Sequence, residues 1–270
     1  MNLLSLENRL CLITVPTHVA GYDFDFELHF TCSHPYRLQN EMAAVLRVGA
    51  VADYAADYEE YLAAGLRLVN TPAHHELASE LALWYPYLSD LTPRTLCRDS
   101  FPDVEEVERE FGWPVFIKGS RQTSKHNPDL TIVRDRDQYE RVQEAWRRDA
   151  ILHWQKVAVR EFVHLAPVAG EVAGKVKPSM EFRSFWWHGE CVGIGQYWSQ
   201  IAPYGADDLA AGQALAQEAA RRLAIPFLVV DIAKTIDGKW IVIECNDAQE
   251  SGYTAIAPNL LWREVLARLS

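Results

Sequence analysis

Residues 227–246, FLVVDIAKTIDGKWIVIECN, restrict the fold more than any other stretch of the chain. Two apolar, β-branched runs flank Asp237-Gly238, and that dipeptide is a strong short-range signal for a hairpin turn. With a two-residue loop, Ile236 opposes Lys239, and the same register carries Asp231 directly across from Glu244. Directly opposed side chains share a face of the sheet, with Cβ atoms roughly 4.5–5.5 Å apart. Asn246 lies two residues beyond Glu244 and so falls on that face too. Opposed carboxylates repel one another, and a hard divalent cation relieves the repulsion; Mg²⁺ is usually held by one or two carboxylates together with phosphates. The pattern also fits a solvated acidic pair on an exposed hairpin, or a pair bridged by Lys234 or Lys239. Val229, Val242 and Ile243 indicate a sheet that is at least half buried.

Three units precede and include this hairpin. VLRVGAVADYAADYEEYLAAGLRLVN reads as a strand, an acidic helix over about 54–64, and a strand ending at Asn70. Thr71-Pro72 opens a further helix running through HHELASELALWYPYL, with proline in the first turn, where its missing N–H costs little. This alternation predicts an N-terminal α/β lobe over 1–92. LTPRTLCR reads as a linker and lead-in strand, 101–111 as a short acidic helix, WPVFIK as a strand, GSRQTSKHNPD as a polar loop, DLTIVR as a strand and 137–148 as a helix, giving a central α+β unit over 93–160. A C-terminal α+β unit over 161–270 holds two strands about His188-Gly189 and the hairpin with the candidate metal site. Between them, Asp207-Asp208 open a helix by accepting backbone N–H bonds. That helix places Leu209, Gly212, Ala216, Ala219 and Leu223 on one face.

The chain has 270 residues, 49% of them hydrophobic, which excludes a disordered or fibrous protein. Its 26 Lys+Arg against 37 Asp+Glu give a formal charge of −11, a balance that argues against a nucleic-acid backbone binder. A small anionic substrate stays open, since a few placed cations suffice. The longest apolar run, 223–230, contains Pro226 and is too short to span a bilayer. An early acid and no basic region at the start argue against a signal peptide. Five scattered cysteines without a CxxC suggest neither a disulfide framework nor a zinc ribbon. The expectation is a cytoplasmic protein without a membrane partner.

Other residues suggest polyphosphate chemistry. Lys118 ends the strand VFIK directly before small and basic residues, whose backbone N–H groups can cradle anionic oxygens; a strand-terminal lysine beside an ordinary hairpin loop fits equally. Arg160-Glu161-Phe162-Val163 ends another strand, where backbone groups can read an adenine edge, although an edge strand has the same pattern. Glu181 and Arg183 share one face of MEFRSF, so Arg183 can meet a phosphate bidentately or form a plain ion pair. The nine histidines show no metal-ligand spacing beyond the adjacent His74-His75, and Trp186, Trp187 and Trp198 read as packing residues.

Taken in order, LVNTPAHHELASELALWYPYLSDLTPRTL, GWPVFIKG, VREFV, SMEFRSFWW and VVDIAKTIDGKWIVIECN resemble the ATP-grasp superfamily from Val69 to the C-terminus. The order Asp-x12-Glu-x-Asn matches that family's metal triad, and PSMEFRSFWWHGECVGIGQYWSQ further resembles the eukaryotic cell-division-cycle ATP-grasp proteins and their bacterial and phage relatives. The resemblance implies an ATP-grasp fold, in which an N-terminal α/β lobe is followed by two α+β subdomains gripping the nucleotide. It implies ATP and Mg²⁺ as cofactors, with Asp231, Glu244 and Asn246 as metal ligands. Lys118 and Arg183 would act on the phosphates, Glu161, Phe162 and Val163 would form the adenine hinge, and Glu171 is a candidate for the ribose. The family's second nucleotide lysine has no counterpart in ELASELALWYPYL, and Lys175 or Lys177 are candidates to replace it. The activity implied is an ATP- and Mg²⁺-dependent ligase joining a carboxylate to an amine, on a small molecule or a protein or peptide. Arg121, Lys125 and Arg160 are candidates for holding a substrate carboxylate. An assembly factor without ligase activity and a phosphotransferase acting on a hydroxyl are the alternatives.

Overall fold

The computed structural model describes residues 2–18, 21–36, 38, 40–121 and 130–269. The first sheet has the order β3-β1-β2-β4-β5, from β1 (Asn2–Leu6), β2 (Leu10–Thr14), β3 (Cys32–Ser33), β4 (Met42–Arg47) and β5 (Leu66–Leu68). Strands β2, β4 and β5 run parallel, and β1 pairs antiparallel with β2 and β3. Parallel pairing needs a crossover, and α1 (Tyr54–Ala63) supplies it between β4 and β5. The two-residue period of β2 is plain: Cys11 and Ile13 face a core with Tyr54 of α1, whereas Leu10 and Leu12 face the C-terminal half of the chain.

The expected long helix after Thr71-Pro72 is two helices, α2 (Pro72–Ser79) and α3 (Leu81–Leu88), broken at Glu80 with φ −102° and ψ 107°. At the break the Leu81 N–H bonds the Ser120 carbonyl at 2.9 Å instead of a carbonyl in its own helix. A local apolar period cannot reveal that distant acceptor.

The second sheet, order β6-β9-β7-β8, contains β6 (Thr95–Arg98), β7 (Val115–Gly119), β8 (Ile132–Val133) and β9 (Val157–Glu161). Val115, Ile117, Val157 and Val159 pack on α4 (Val104–Glu110) and α5 (Arg136–Arg148) through Val107, Tyr139, Val142 and Trp146. The alternate residues Phe116, Lys118 and Arg160 line the other side. The third sheet, order β11-β10-β12-β13, contains β10 (Glu181–Trp187), β11 (Glu190–Gln196), β12 (Phe227–Lys234) and β13 (Trp240–Asp247). One face is covered by α6 (Leu209–Leu223). The other face, with Phe185, Trp187, Phe227 and Val229, meets Leu10 and Leu12 of the first sheet and Leu261, Trp262 and Val265 of α7 (Pro258–Ala267).

Two local expectations at the β12–β13 hairpin and at α6 are corrected. The hairpin loop has three residues, 236–238: the Thr235 N–H bonds Lys239 O at 2.7 Å and the Gly238 N–H bonds Thr235 O at 2.9 Å. Gly238 sits at φ +87°, where glycine alone is unstrained. The ladder therefore leaves the turn one residue out of the expected register, with Ile232 opposite Val242. A bulge then inserts Ile243, so that Asp231 still faces Glu244. At α6, Asp208 makes no capping bond; its carboxylate accepts from Lys234 Nζ at 2.7 Å and Trp240 Nε1 at 3.3 Å instead.

Buried polar groups join the first sheet to the third. Asn70 donates to Phe227 O and Asp247 Oδ1, both at 2.8 Å, and accepts the Phe227 N–H at 2.9 Å. Arg47 Nη1 gathers the carbonyls of Ala248, Gln249 and Ser251 at 2.8–3.1 Å. Among the described residues, no helix is long and apolar enough to cross a membrane.

Gly212 lies inside α6, where replacing glycine by alanine ordinarily gains about 1 kcal/mol. Here an added Cβ would stand 2.8 Å from the Trp240 ring and 2.9 Å from Ile232. Such overpacking costs roughly 1–3 kcal/mol and should prevail. Gly212→Ala is expected to lower the urea midpoint at constant slope; a raised midpoint would remove this account of the helix–sheet contact.

Candidate active site

On one face of the third sheet the apolar rows turn polar at a single level. Phe227 and Val229 of β12 lead to Asp231, and Trp187 and Phe185 of β10 lead to Arg183; the ladders set Arg183 beside Asp231 and Asp231 beside Glu244. Here the third sheet parts from the second, and a cleft of about 1470 Å³ opens, lined also by Lys118, Phe116, Ile241, Ile243 and Asn246.

Arg183 grips Asp231 with two parallel bonds, Nε to Oδ1 at 2.8 Å and Nη2 to Oδ2 at 2.7 Å, while Nη1 bonds Gly252 O at 3.0 Å. Burial alone pulls the guanidinium pKa down, but the charge and bonds of Asp231 outweigh it and the net shift is upward. Lys118, buried at the end of β7, crosses to the second carboxylate and contacts Glu244 Oε1. Each acid thus carries a basic neighbour suited to phosphate oxygens.

Asp231, Glu244 and Asn246 offer only oxygen donors, the chemistry that Mg²⁺ takes. Among the described residues no three His, Cys, Asp or Glu form a group that could hold a metal ion; the third donor of this set is an amide. With Lys118 and Arg183 alongside, the set fits a cation that arrives with phosphates.

Glu161, Phe162 and Val163 line the same cleft at the exit of β9. The Glu161 N–H bonds Arg94 O at 2.9 Å and its carboxylate meets Arg94 Nε at 3.1 Å. Lys175 and Lys177 also line the cleft, whereas Glu171 is exposed and lies outside its lining. Arg121 is at the wall, bonded to Glu80 at 3.2 Å. Arg160 is committed to joining the sheets: its guanidinium bonds Thr95 Oγ1 at 3.2 Å, Thr92 Oγ1 at 2.6 Å and Ile243 O at 2.9 Å. Those bonds leave it poorly placed to hold a substrate carboxylate. Lys125 and most of the polar loop, 122–129, lie outside the described residues.

Sequence reasoning missed a second cluster. His75 of α2 lines the cleft, and its Nδ1 lies 3.0 Å from Asp247 Oδ2. Ser79, one turn further along α2, and Glu250 line the same cleft. His75 and Asp247 stand 172 residues apart in the chain, and no spacing rule joins them.

An ATP-grasp domain family, numbered 3 within its clade, matches residues 89–265. No curated protein matches the sequence. Among solved structures, the chain is similar to VanG D-Ala:D-Ser ligase from Enterococcus faecalis, at 17% identity over 86% of this chain and 71% of that one, with a TM-score of 0.59. It is also similar to a RimK domain protein ATP-grasp from Sphaerobacter thermophilus, at 22% identity over 77% and 73%, with a TM-score of 0.54. A third is the ATP-grasp ligase PsnB, solved with a phosphomimetic variant of its minimal precursor, Mg and ADP, at 14% identity over 83% and 76%, with a TM-score of 0.51. At these identities the likeness concerns the fold, and the three-sheet arrangement is an ATP-grasp fold.

Burial raises the Glu250 carboxyl above its ordinary 4.5, against the opposing pull of His75 and the Val51 N–H. The folded state therefore holds this proton more tightly than the unfolded state. The resulting stability is complete below 4.5 and is lost as pH rises through the raised value. Glu250→Gln does not titrate, so it should be more stable than the parent at neutral pH, with the gap closing in acid. Urea midpoints at the two pH values check this, and a gap that widens in acid would contradict it.

Proposed function

The chain belongs to the ATP-grasp domain family, and on that premise we propose an ATP- and Mg²⁺-dependent ligase that joins a carboxylate to an amine through an acylphosphate. The observation that carries this reading is the row Arg183, Asp231, Glu244 and Lys118, two acids and two bases lining one cleft, all buried but the half-buried Glu244. A plain structural ion pair needs no such duplication, and buried charge is costly unless paired. A triphosphate supplies new partners for the bases and frees the acids.

Asp231, Glu244 and Asn246 would hold Mg²⁺, which when bound offsets triphosphate charge. Lys118 and Arg183 hold phosphate oxygens, and Arg183 faces the transferring group. The backbone of Glu161, Phe162 and Val163 meets the adenine edge, and Lys175 or Lys177 supplies the second cation. Glu171, outside the cleft lining, is poorly placed for a ribose role. A substrate carboxylate oxygen attacks the γ-phosphorus, the bond to the bridging oxygen breaks, and ADP leaves. An amine nitrogen then attacks the acyl carbon, and inorganic phosphate leaves. Positioning and charge supply the rate. The acceptor is a small molecule or peptide. All five cysteines are free thiols, which suits a reducing, ATP-rich cytoplasm.

The test incubates the protein with ATP, Mg²⁺, hydroxylamine and a pool of carboxylates: the twenty standard amino acids, dicarboxylic acids and a deproteinised cell extract. ADP release with hydroxamate formation supports the ligase. No hydroxamate above a control lacking carboxylate overturns it; a phosphorylated hydroxyl compound instead indicates a phosphotransferase, and a tightly held protein without ADP release indicates the assembly factor that EFRSFWW suggests. Glu244→Gln should lower ATP turnover by on the order of 100-fold or more and abolish the Mg²⁺-dependent part of the thermal stabilisation by ATP. Wild-type turnover in that variant would remove the metal assignment.

A further inference from the structure

We propose that His75 is the general base that takes the proton from the amine acceptor, with Asp247 as its positioning residue; the assignment rests on the ligase reading above. Its basis is a fixed tautomer at the cleft wall. Asp247 is fully buried, and its carboxylate accepts Asn70 Nδ2 at 2.8 Å, the Gln249 N–H at 2.9 Å, Gln249 Nε2 at 3.2 Å and His75 Nδ1 at 3.0 Å. With Asp247 Oδ2 as the acceptor, the hydrogen of that bond sits on Nδ1 and Nε2 is the ring nitrogen left to take a proton. The ring also lies flat on Tyr54, with centroids 4.1 Å apart and planes 3° apart. Tyr54 is itself tied down by Asn70 O at 2.8 Å and Gln249 Nε2 at 2.6 Å. Stacking and the Asp247 bond together set the ring's plane and its rotation.

A purely structural histidine would be redundant here, because Asn70 and Gln249 already satisfy Asp247 and join the sheets. His75 lines the same cleft as Lys118, Glu244 and Asn246. Glu250 stands near enough for the two side chains to interact electrostatically. A carboxylate beside an imidazole suits an incoming ammonium ion: Glu250 attracts the charge and Nε2 accepts the proton.

The ammonium gives one proton to Nε2, leaving an imidazolium whose Nδ1–H faces Asp247. The freed lone pair forms the N–C bond at the acyl carbon, the C–O bond to phosphorus breaks, and phosphate leaves with that electron pair. A second proton, from nitrogen, goes to the departing phosphate, and the products are the amide and inorganic phosphate.

The test compares wild type with His75→Gln on the carboxylate pool and two acceptors: hydroxylamine, an amine already unprotonated at neutral pH, and the ammonium-bearing amines of the twenty amino acids and the cell extract. His75→Gln should still form hydroxamate, which shows that it folds and activates carboxylate. Its amide formation from the ammonium-bearing amines should fall by about 10²–10⁴-fold. Equal loss with both acceptors, or no loss with either, overturns the assignment, as does a wild type that yields hydroxamate but no amide. A wild type without hydroxamate fails the ligase reading itself. Nitrogen NMR of the His75 side chain gives a substrate-free check: a neutral ring with hydrogen on Nδ1 is expected, and hydrogen on Nε2 would sink the proposal.

Discussion

Four charged side chains from two sheets meet in one row, three of them buried and Glu244 half-buried, and the cleft is organised around keeping them neutral together. Arg183 and Asp231 sit on neighbouring strands, so their pairing follows from the β10–β12 register. Lys118 and Glu244 do not; one ends β7 and the other lies in β13. Their contact therefore demands that the second and third sheets hold a fixed separation. Arg160 meets that demand, fastening β9 to Thr92 and to the backbone of β13. Truncating any one member would strand a charge of opposite sign out of water, which costs more than the pair itself contributes.

The cluster about His75 follows the same rule with a different result. Asp247 is also buried, but its partners are amides and an imidazole rather than a permanent cation. The cleft thus has one region of fixed charges and another of groups that can exchange a proton. Those two kinds of surface suit the two halves of the proposed ligase reaction, which first moves a phosphoryl group and then a proton.

Much of the architecture is legible locally because strands and helices carry their periods in short windows. The alternation in VFIK sends Val115 and Ile117 to the helices and Lys118 to the cleft, and the small-residue face of α6 packs as its spacing suggests. The hairpin shows how a correct pairing can rest on an incorrect path. Its sequence predicts a two-residue turn and a three-residue turn forms, yet the bulge at Ile243 restores the facing of Asp231 and Glu244. The break at Glu80 and the pairing of His75 with Asp247 stay hidden for another reason. Each is decided by a partner far along the chain, Ser120 O in one case and a carboxylate 172 residues away in the other. The missing cap at Asp208 belongs with them, since Lys234 and Trp240 take its oxygens in place of the helix.

The inserted residue in β13 has an effect beyond alignment. Its backbone carbonyl is released from the ladder and is taken by Arg160. The link between the two sheets at this point therefore reads chain length rather than chemistry. Many side chains at 243 leave that oxygen where it is, whereas a one-residue deletion there removes the link, although the regular ladder that results still sets Asp231 opposite Glu244. Along this strand, counting matters more than spelling.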